Sequence, residues 1–223
     1  MGLGDGRVKK LASQRGTEDI PSIVKDLKSA PHERKEQIAH LLDILATRDE
    51  KHPNEIHKAG GVQLLVGMLS TGTDGGQLHA ASTLATMATT RTLQEAIVKA
   101  GAIEPLVKLL RTGSNKAQTF AAAAVASISE LPEEKDAVIK AGAIAPLVRL
   151  LRSDVACDGQ VYASDAIANL SCQNLRAQGI IAGAGAIPLL LRLLDCGKAQ
   201  ISAANALGQL MSPGPEPSNL PPD

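Results

Sequence analysis

The sequence IVKAGAIEPLVKLLR at residues 97–111 returns as VIKAGAIAPLVRLLR at residues 138–152, 41 positions further along the chain. Weaker copies begin at Ile56 and Ile181, and residues 20–27 match the second half of the motif. Repetition at a fixed period of this size is typical of an array that uses one structural unit several times. The repeat therefore governs how the other features of the chain are interpreted.

An Ala-rich stretch follows each copy of the motif, and these stretches can be aligned on five apolar residues. They are Leu45, Met87, Ile128, Leu170 and Leu210, with spacings of 42, 41, 42 and 40. A period in this range, with three helical segments per unit, is typical of HEAT and armadillo arrays and not of the shorter tetratricopeptide or ankyrin units. The recurring KAGAIxPLV motif and stretches such as ASDAIANL at residues 163–170 resemble the armadillo family. The resemblance implies a right-handed α-solenoid that binds other proteins.

Glycines and prolines at fixed repeat positions predict where the first two helices of each unit end and begin. Glycine tolerates the left-handed conformation that ends a helix, and proline is tolerated in the first turn of the next one. The glycines are Gly60, Gly101, Gly142 and Gly185, and the prolines are Pro21, Pro105, Pro146 and Pro188. We expect each glycine to have a positive φ and to separate helix one from helix two.

A third helix is predicted in each unit from the helical spacing of small apolar residues. We expect these helices to begin near Gln77, Gln118, Gln160 and Gln200, and the corresponding helix of the first unit to span about residues 31–46. The buried stripe is predicted to contain Ala80, Ala81, Thr83, Leu84 and Met87 in one unit, and Ala121, Ala122, Ala124, Val125 and Ile128 in the next. Small side chains in this stripe let neighbouring helices approach closely.

The composition agrees with an all-α fold of about five repeats, the first one partial. Aromatic residues make up 1% of the chain and apolar residues 44%, whereas strands normally draw on aromatic and β-branched side chains. The predicted array covers 17–211, divided into 17–47 (a partial capping repeat), 53–90, 94–131, 135–173 and 177–211. Residues 1–16 are predicted to be a flexible basic segment, and residues 212–223, with five prolines, a disordered tail.

Charge and cysteine content restrict the classes of function. The 23 basic and 23 acidic residues balance, which gives no general electrostatic attraction to nucleic acid or anionic membranes. No apolar stretch is long enough to insert into a membrane. The cysteines, Cys157, Cys172 and Cys196, are odd in number and lack CxxC spacing, which favours a reducing compartment, the cytoplasm or the nucleus.

No pattern in the sequence predicts a catalytic, metal or cofactor site. The five histidines, all within the first 79 residues, have no spacing that suits zinc. No catalytic triad, buried carboxylate pair or phosphate-binding loop is present. We therefore expect a monomeric protein that is not an enzyme, requires no cofactor and binds a protein or peptide partner.

The face formed by the third helices is the predicted binding groove. The candidate residues are His79, Phe120, Tyr162, Asp165, Asn169, Asn205 and Gln209. The first three occupy one repeat position in successive units. Two interpretations of Phe120 and Tyr162 stay open: they fill gaps between Ala-rich helices, or they form an exposed stripe that anchors a partner.

Three functional hypotheses follow from the resemblance. The favoured one is a scaffold or adaptor that holds a partner segment in the groove. The second is a regulatory or targeting fragment of a larger armadillo protein, for example of the ubiquitin-ligase or vacuole-anchoring type. The third is an importin-like transport adaptor, against which the sequence argues because the Trp and Asn ladder of such proteins is mostly absent. Of its Asn positions, only Asn169 retains asparagine.

Overall fold

The computed structural model describes residues 19–152 and 157–212, except for the side chains of Glu33 and Cys157. Within these ranges the chain forms fourteen α-helices and one 3-10 turn at Pro132–Glu134, without any strand. The helices are α1 (Ile20–Ser29), α2 (His32–Arg48), α3 (His52–Lys58), α4 (Gly61–Thr71), α5 (Asp74–Met87), α6 (Arg91–Lys99), α7 (Ile103–Thr112), α8 (Asn115–Ile128), α9 (Lys135–Lys140), α10 (Ile144–Leu151), α11 (Cys157–Ser171), α12 (Leu175–Gly183), α13 (Ala186–Leu193) and α14 (Gln200–Met211). The predicted basic segment 1–16 and the Pro-rich tail from residue 213 onward lie outside the described residues.

The helices form an α-solenoid of five units. The first unit contains α1 and α2, and each later unit contains a short first helix, a second helix and a long third helix. The third helices α2, α5, α8, α11 and α14 lie in one row, each packed against the next. The second helices α1, α4, α7, α10 and α13 form another row beside it. Because each unit contacts mainly its neighbours, the array is a quasi-one-dimensional fold.

The four glycines predicted to end the first helices have positive φ values. Their φ angles are 80° for Gly60, 81° for Gly101, 82° for Gly142 and 80° for Gly185. Beyond Gly101, the N–H of Ala102 donates back to the carbonyl of Ile97 at 3.3 Å, which is the hydrogen bond that closes a helix C-terminus of the Schellman type. The predicted left-handed turns are confirmed.

Three of the third helices begin about three residues earlier than predicted. The structure begins α5 at Asp74, α8 at Asn115 and α11 at Cys157. The Thr73 hydroxyl accepts a hydrogen bond from the Gly76 N–H at 3.0 Å, and serine precedes α8 in the same capping position. Such caps satisfy N–H groups of the first turn. Because these capping residues precede the glutamines, the helices begin about one turn before the predicted starts.

The core is a continuous layer of small and branched aliphatic side chains between the two rows of helices. Both predicted stripes are buried: Ala80, Ala81, Thr83, Leu84, Met87, Ala121, Ala122, Ala124, Val125 and Ile128 each have 0% exposure. Alanines at these positions let the third helices pack closely, and the second helices supply the larger leucines and valines. This arrangement leaves one side of the third-helix row available for contacts.

A repeated buried polar residue connects the first helix of a unit to the third helix of the same unit. Gln94, Lys135 and Gln178 occupy one repeat position, seven residues before the glycine that ends each first helix. The Lys135 Nζ donates to the carbonyl of Cys172 at 2.9 Å, and the Gln178 Nε2 donates to the carbonyl of Gln209 at 2.9 Å. These carbonyls lie at the C-terminal ends of third helices, where intrahelical donors are missing. Lys135 thus fastens α9 to the end of α11, and Gln178 fastens α12 to the end of α14, each within one unit.

Candidate functional site

A groove crosses the third helices of units two, three and four. Its volume is about 390 Å³. It is lined by Ala85, Thr86, Phe120, Ala123, Ala126, Ser127, Glu130, Tyr162, Asp165 and Asn169. Nine of these residues lie on α5, α8 and α11, and Glu130 lies two residues after the end of α8. Four of the seven predicted groove residues, Phe120, Tyr162, Asp165 and Asn169, therefore lie together.

Helical geometry explains why residues of α11 converge on the groove. Tyr162, Asp165 and Asn169 are spaced by three and four residues, so their side chains lie on one face of the helix. The buried Ala166 and Ile167 direct the opposite face of α11 into the core. The third-helix repeat then brings Phe120 of α8 into the position that Tyr162 has in α11.

The two aromatic side chains combine the two roles that the sequence left open. Both Phe120 and Tyr162 are half-buried and pack against the core, and both also line the groove. The small residues Ala123 and Ala126 line the groove as well. An aromatic ring held in this way has little rotational freedom to lose when a partner covers it, which is the property of an interface anchor.

Asn169 is fixed in the groove by a hydrogen bond within the protein. Its Nδ2 donates to the carbonyl of Ala126 on α8 at 3.0 Å. The bond joins α11 to α8 at the base of the groove and uses one of the two N–H groups of the amide. The second N–H and the Oδ1 atom make no hydrogen bond to the described residues, so the amide retains one donor and one acceptor.

The polar lining of the groove is acidic. Asp165 and Glu130 contribute carboxylates, and no lysine or arginine among the described residues lines the groove. Glu130 Oε2 accepts a hydrogen bond from Gln94 Nε2 at 2.8 Å, which orients that carboxylate. Asp165 is half-buried and has no hydrogen-bond partner among the described residues. The groove therefore offers negative charge beside two aromatic rings.

The other three predicted residues lie elsewhere on the row of third helices. His79 is held by α2: its Nδ1 lies 2.9 Å from Asp43 Oδ2, and its ring stacks on His40 with a centroid distance of 4.2 Å and an interplanar angle of 18°. Asn205 is exposed on α14. Gln209, also on α14, is half-buried, and its backbone carbonyl accepts the hydrogen bond from Gln178. None of the three lines the groove.

Glu130 lines the groove but was not predicted from the sequence. It follows the end of α8, and the equivalent residues of the neighbouring units are Thr89 and Cys172, so no repeat pattern points to a carboxylate there. Its carboxylate accepts the hydrogen bond from Gln94, which is a contact between residues 36 positions apart.

The part of the chain that the structure describes contains neither a metal-binding cluster nor a membrane-spanning helix. Residues 19–152 and 157–212 contain no group of three His, Cys, Asp or Glu side chains arranged to hold a metal ion. No helix in these ranges combines the length and the apolar character that crossing a membrane requires.

Comparisons with known proteins agree with the repeat architecture. The family model described as Armadillo/beta-catenin-like repeat matches residues 93–130 and 132–172. No curated protein sequence matches the chain at a significant level.

Solved structures give matches along most of the chain. An engineered protein of known crystal structure is 33% identical, with a TM-score of 0.76, and the alignment covers 86% of this chain and 79% of that protein. A designed armadillo repeat protein in complex with the peptide (KR)4 is 27% identical, with a TM-score of 0.74 and coverage of 93% and 87%. Computationally designed armadillo repeat proteins for modular peptide recognition give 28% identity, a TM-score of 0.77 and coverage of 92% and 86%. The chain belongs to the armadillo repeat family.

Proposed function

We propose that this protein is a non-catalytic scaffold that holds an extended segment of a partner protein in the groove formed by α5, α8 and α11. The observation that carries the proposal is the groove itself, in which Phe120 and Tyr162 are packed on one side and open on the other. The armadillo fold is a scaffold type, and designed relatives of similar structure recognise peptides. Each chain contains an entire groove, so a single copy suffices for binding.

The chemistry of the groove favours a segment that carries lysine or arginine. Asp165 and Glu130 supply negative charge, and the rings of Phe120 and Tyr162 supply faces on which a cation can rest. A guanidinium or ammonium group on an aliphatic stem matches both features because its stem is apolar and its head is charged. The designed neighbour that holds (KR)4 supports this choice of ligand.

The backbone of the partner segment has its own hydrogen-bonding groups to satisfy. Asn169 retains one amide N–H and its Oδ1, and the hydroxyl groups of Ser127 and Thr86 occupy the same repeat position on α8 and α5. This row replaces the continuous asparagine ladder of importin-like proteins. We therefore favour a short contact over about three repeats instead of a long nuclear-signal complex.

The remaining parts of the proposal concern location and context. We place the protein in the cytoplasm or nucleus, where its cysteines remain reduced. A regulatory fragment of a larger armadillo protein or an importin-like adaptor would use this same groove, so the binding experiment applies to all three hypotheses.

The test measures affinity for a fluorescently labelled (KR)4 peptide by anisotropy. Asp165→Asn removes one groove charge while conserving side-chain size, and Tyr162→Ala removes an anchor. We expect each change to weaken binding about tenfold, which corresponds to about 1.4 kcal/mol. Asp136→Asn is the matched control, because Asp136 is exposed on α9 and does not line the groove; we expect its affinity to stay within about twofold of wild type.

Two results would contradict the proposal. One is the absence of (KR)4 binding by the wild-type chain at low ionic strength, where attraction between exposed charges is strongest. The other is an equal loss of affinity in Asp165→Asn and Asp136→Asn, which would show that only net charge matters. Thermal melts of all variants establish that the fold is retained before affinities are compared.

A further inference from the structure

The groove contains two aromatic rings on neighbouring helices. Phe120 on α8 and Tyr162 on α11 occupy the same repeat position, and α8 packs directly against α11. The axes of packed helices are about 8–10 Å apart, and equivalent side chains of successive repeats are displaced by about this spacing. A flat group between two rings needs about 7 Å, which is twice the ordinary contact distance of 3.5 Å between carbon atoms. No ring contact joins Phe120 to Tyr162 in the described part of the chain.

A carboxylate lies one helical turn beyond the rings. Asp165 follows Tyr162 by three residues on α11, and Ala123 follows Phe120 by three residues on α8. Both Asp165 and Ala123 line the groove. The position on α8 that is equivalent to Asp165 therefore carries a methyl group and not a cation that would neutralise the carboxylate. We call Phe120, Ala123, Tyr162 and Asp165 the slot.

The lining of the groove has more unused hydrogen-bond acceptors than unused donors. Glu130 accepts from Gln94 through Oε2 only. Its Oε1, both carboxylate oxygens of Asp165 and the Oδ1 atom of Asn169 make no hydrogen bond to the described residues. Apart from hydroxyl groups, the unused donor among the described lining residues is the second amide N–H of Asn169. A ligand that brings several N–H groups satisfies this lining best.

We propose that the slot selects arginine over lysine in the bound segment. This inference rests on the proposed function and adds to it the kind of residue that the groove recognises. A guanidinium group is planar, stacks on aromatic faces and has five N–H donors, two of which bind a carboxylate side by side. An ammonium group is compact and has three donors, so it matches neither the paired rings nor the number of acceptors.

Partial burial of the slot also favours arginine. Phe120, Tyr162 and Asp165 are half-buried, so a cation that enters the slot loses part of its hydration shell. A guanidinium group is more weakly hydrated than an ammonium group. Arginine therefore loses less favourable interaction with water on entry, and its larger number of donors replaces more of what is lost.

Methylated lysine is the competing ligand, because quaternary ammonium groups also bind against aromatic rings. Trimethyllysine carries the same charge as arginine but has no N–H donor. It would leave the unused oxygens of Asp165, Glu130 and Asn169 without partners, which is unfavourable in a partly desolvated site. The surplus of acceptors thus favours arginine over this ligand too.

The test compares three fluorescently labelled peptides of equal length and charge by anisotropy: octa-arginine, octalysine and octa-trimethyllysine. The protein is the full chain, and the ionic strength is the same throughout. We expect the wild type to bind octa-arginine about tenfold or more tightly than either of the other two peptides, because only arginine makes the paired hydrogen bonds to the carboxylate. The quantity of interest is the ratio of dissociation constants, which cancels the general attraction between opposite charges.

Four substitutions assign the preference to the slot. Tyr162→Leu removes one ring but keeps an apolar side chain, and Asp165→Asn removes the carboxylate but keeps the side-chain size. Each should reduce the preference for arginine to about threefold or less. Tyr162→Phe retains the ring and is the matched control, and Asp136→Asn on α9 is the control for charge. Both controls should keep the preference of the wild type.

The outcomes separate this inference from the proposed function. Equal binding of octa-arginine and octalysine would leave the scaffold function standing and overturn the selection of arginine. A preference that persists in both Tyr162→Leu and Asp165→Asn would overturn its assignment to the slot, and tighter binding of octa-trimethyllysine would replace arginine by methylated lysine. Binding of none of the peptides would contradict the proposed function itself. Circular dichroism verifies that each variant is folded, and Asp165→Asn decides the question if Tyr162→Leu is not.

Discussion

Replacing Gly101 by alanine should lower the free energy of unfolding by about 1–2 kcal/mol. Gly101 has a φ of 81°, a conformation in which the Cβ of an L-residue lies too close to the following carbonyl oxygen. An added Cβ would meet no other atom within 4 Å. Collision with neighbouring side chains therefore adds nothing, and the magnitude is that of the backbone conformation. For a domain of this size the change corresponds to a decrease in Tm of about 2–8 °C.

The assay is thermal unfolding followed by circular dichroism, with Gly67→Ala as the matched control. Gly67 lies within α4, is exposed, and also has nothing within 4 Å of an added Cβ. There alanine should stabilise the protein by about 0.5–1 kcal/mol because it is the better helix former. The same substitution is thus expected to have opposite signs at two open sites. An unchanged or increased Tm for Gly101→Ala would refute the assignment of a left-handed turn as the constraint at this position.

Two further substitutions test the contact between the first and third helices of one unit and the packing of the core. Lys135→Met removes the hydrogen bond from Nζ to the Cys172 carbonyl and should lower the free energy of unfolding, measured in urea, by about 1–3 kcal/mol. Lys140→Met, at an exposed position, is the control and should change this free energy by less than about 0.5 kcal/mol. Equal effects of the two substitutions would show that the hydrogen bond contributes no stability. Leu84→Ala leaves a cavity at a fully buried position and should lower the free energy of unfolding by about 2–5 kcal/mol. Leu175→Ala, at a 61% exposed site, should have a small effect. Similar losses of stability in both variants would contradict the placement of the core.

The candidate site was partly accessible to sequence reasoning. The spacing of Tyr162, Asp165 and Asn169 identifies one face of a helix, and the repeat identifies Phe120 as the equivalent of Tyr162. That reasoning also grouped His79 with the two aromatic residues. Repeat position does not specify contacts, however, and His79 instead stacks on His40 and bonds to Asp43. Glu130 lines the groove, whereas His79 does not. The carboxylate of Glu130 accepts a hydrogen bond from Gln94, a contact that no local sequence pattern predicts.

The amide of Asn169 shows a second kind of limit. Sequence position predicts that it faces outward on a third helix, but its availability depends on the hydrogen bond to Ala126 of the preceding unit. Whether a polar side chain is free or occupied is determined by atoms brought near it by packing. Binding of a partner backbone by Asn169 stays a prediction, and it concerns only the second amide N–H and the Oδ1 atom.

The sequence by itself determined the α-solenoid, because its causes are local: left-handed glycines, prolines in first turns and apolar residues at helical spacing act within a few residues of one another. Repetition then implies that neighbouring units stack, since no unit can bury its apolar face alone. Only the tertiary structure decided which side chains remain uncovered. Val148 and Leu191 occupy the same repeat position, yet one is 4% exposed and the other 52%, because exposure depends on whether another helix lies against that face and not on the residue itself.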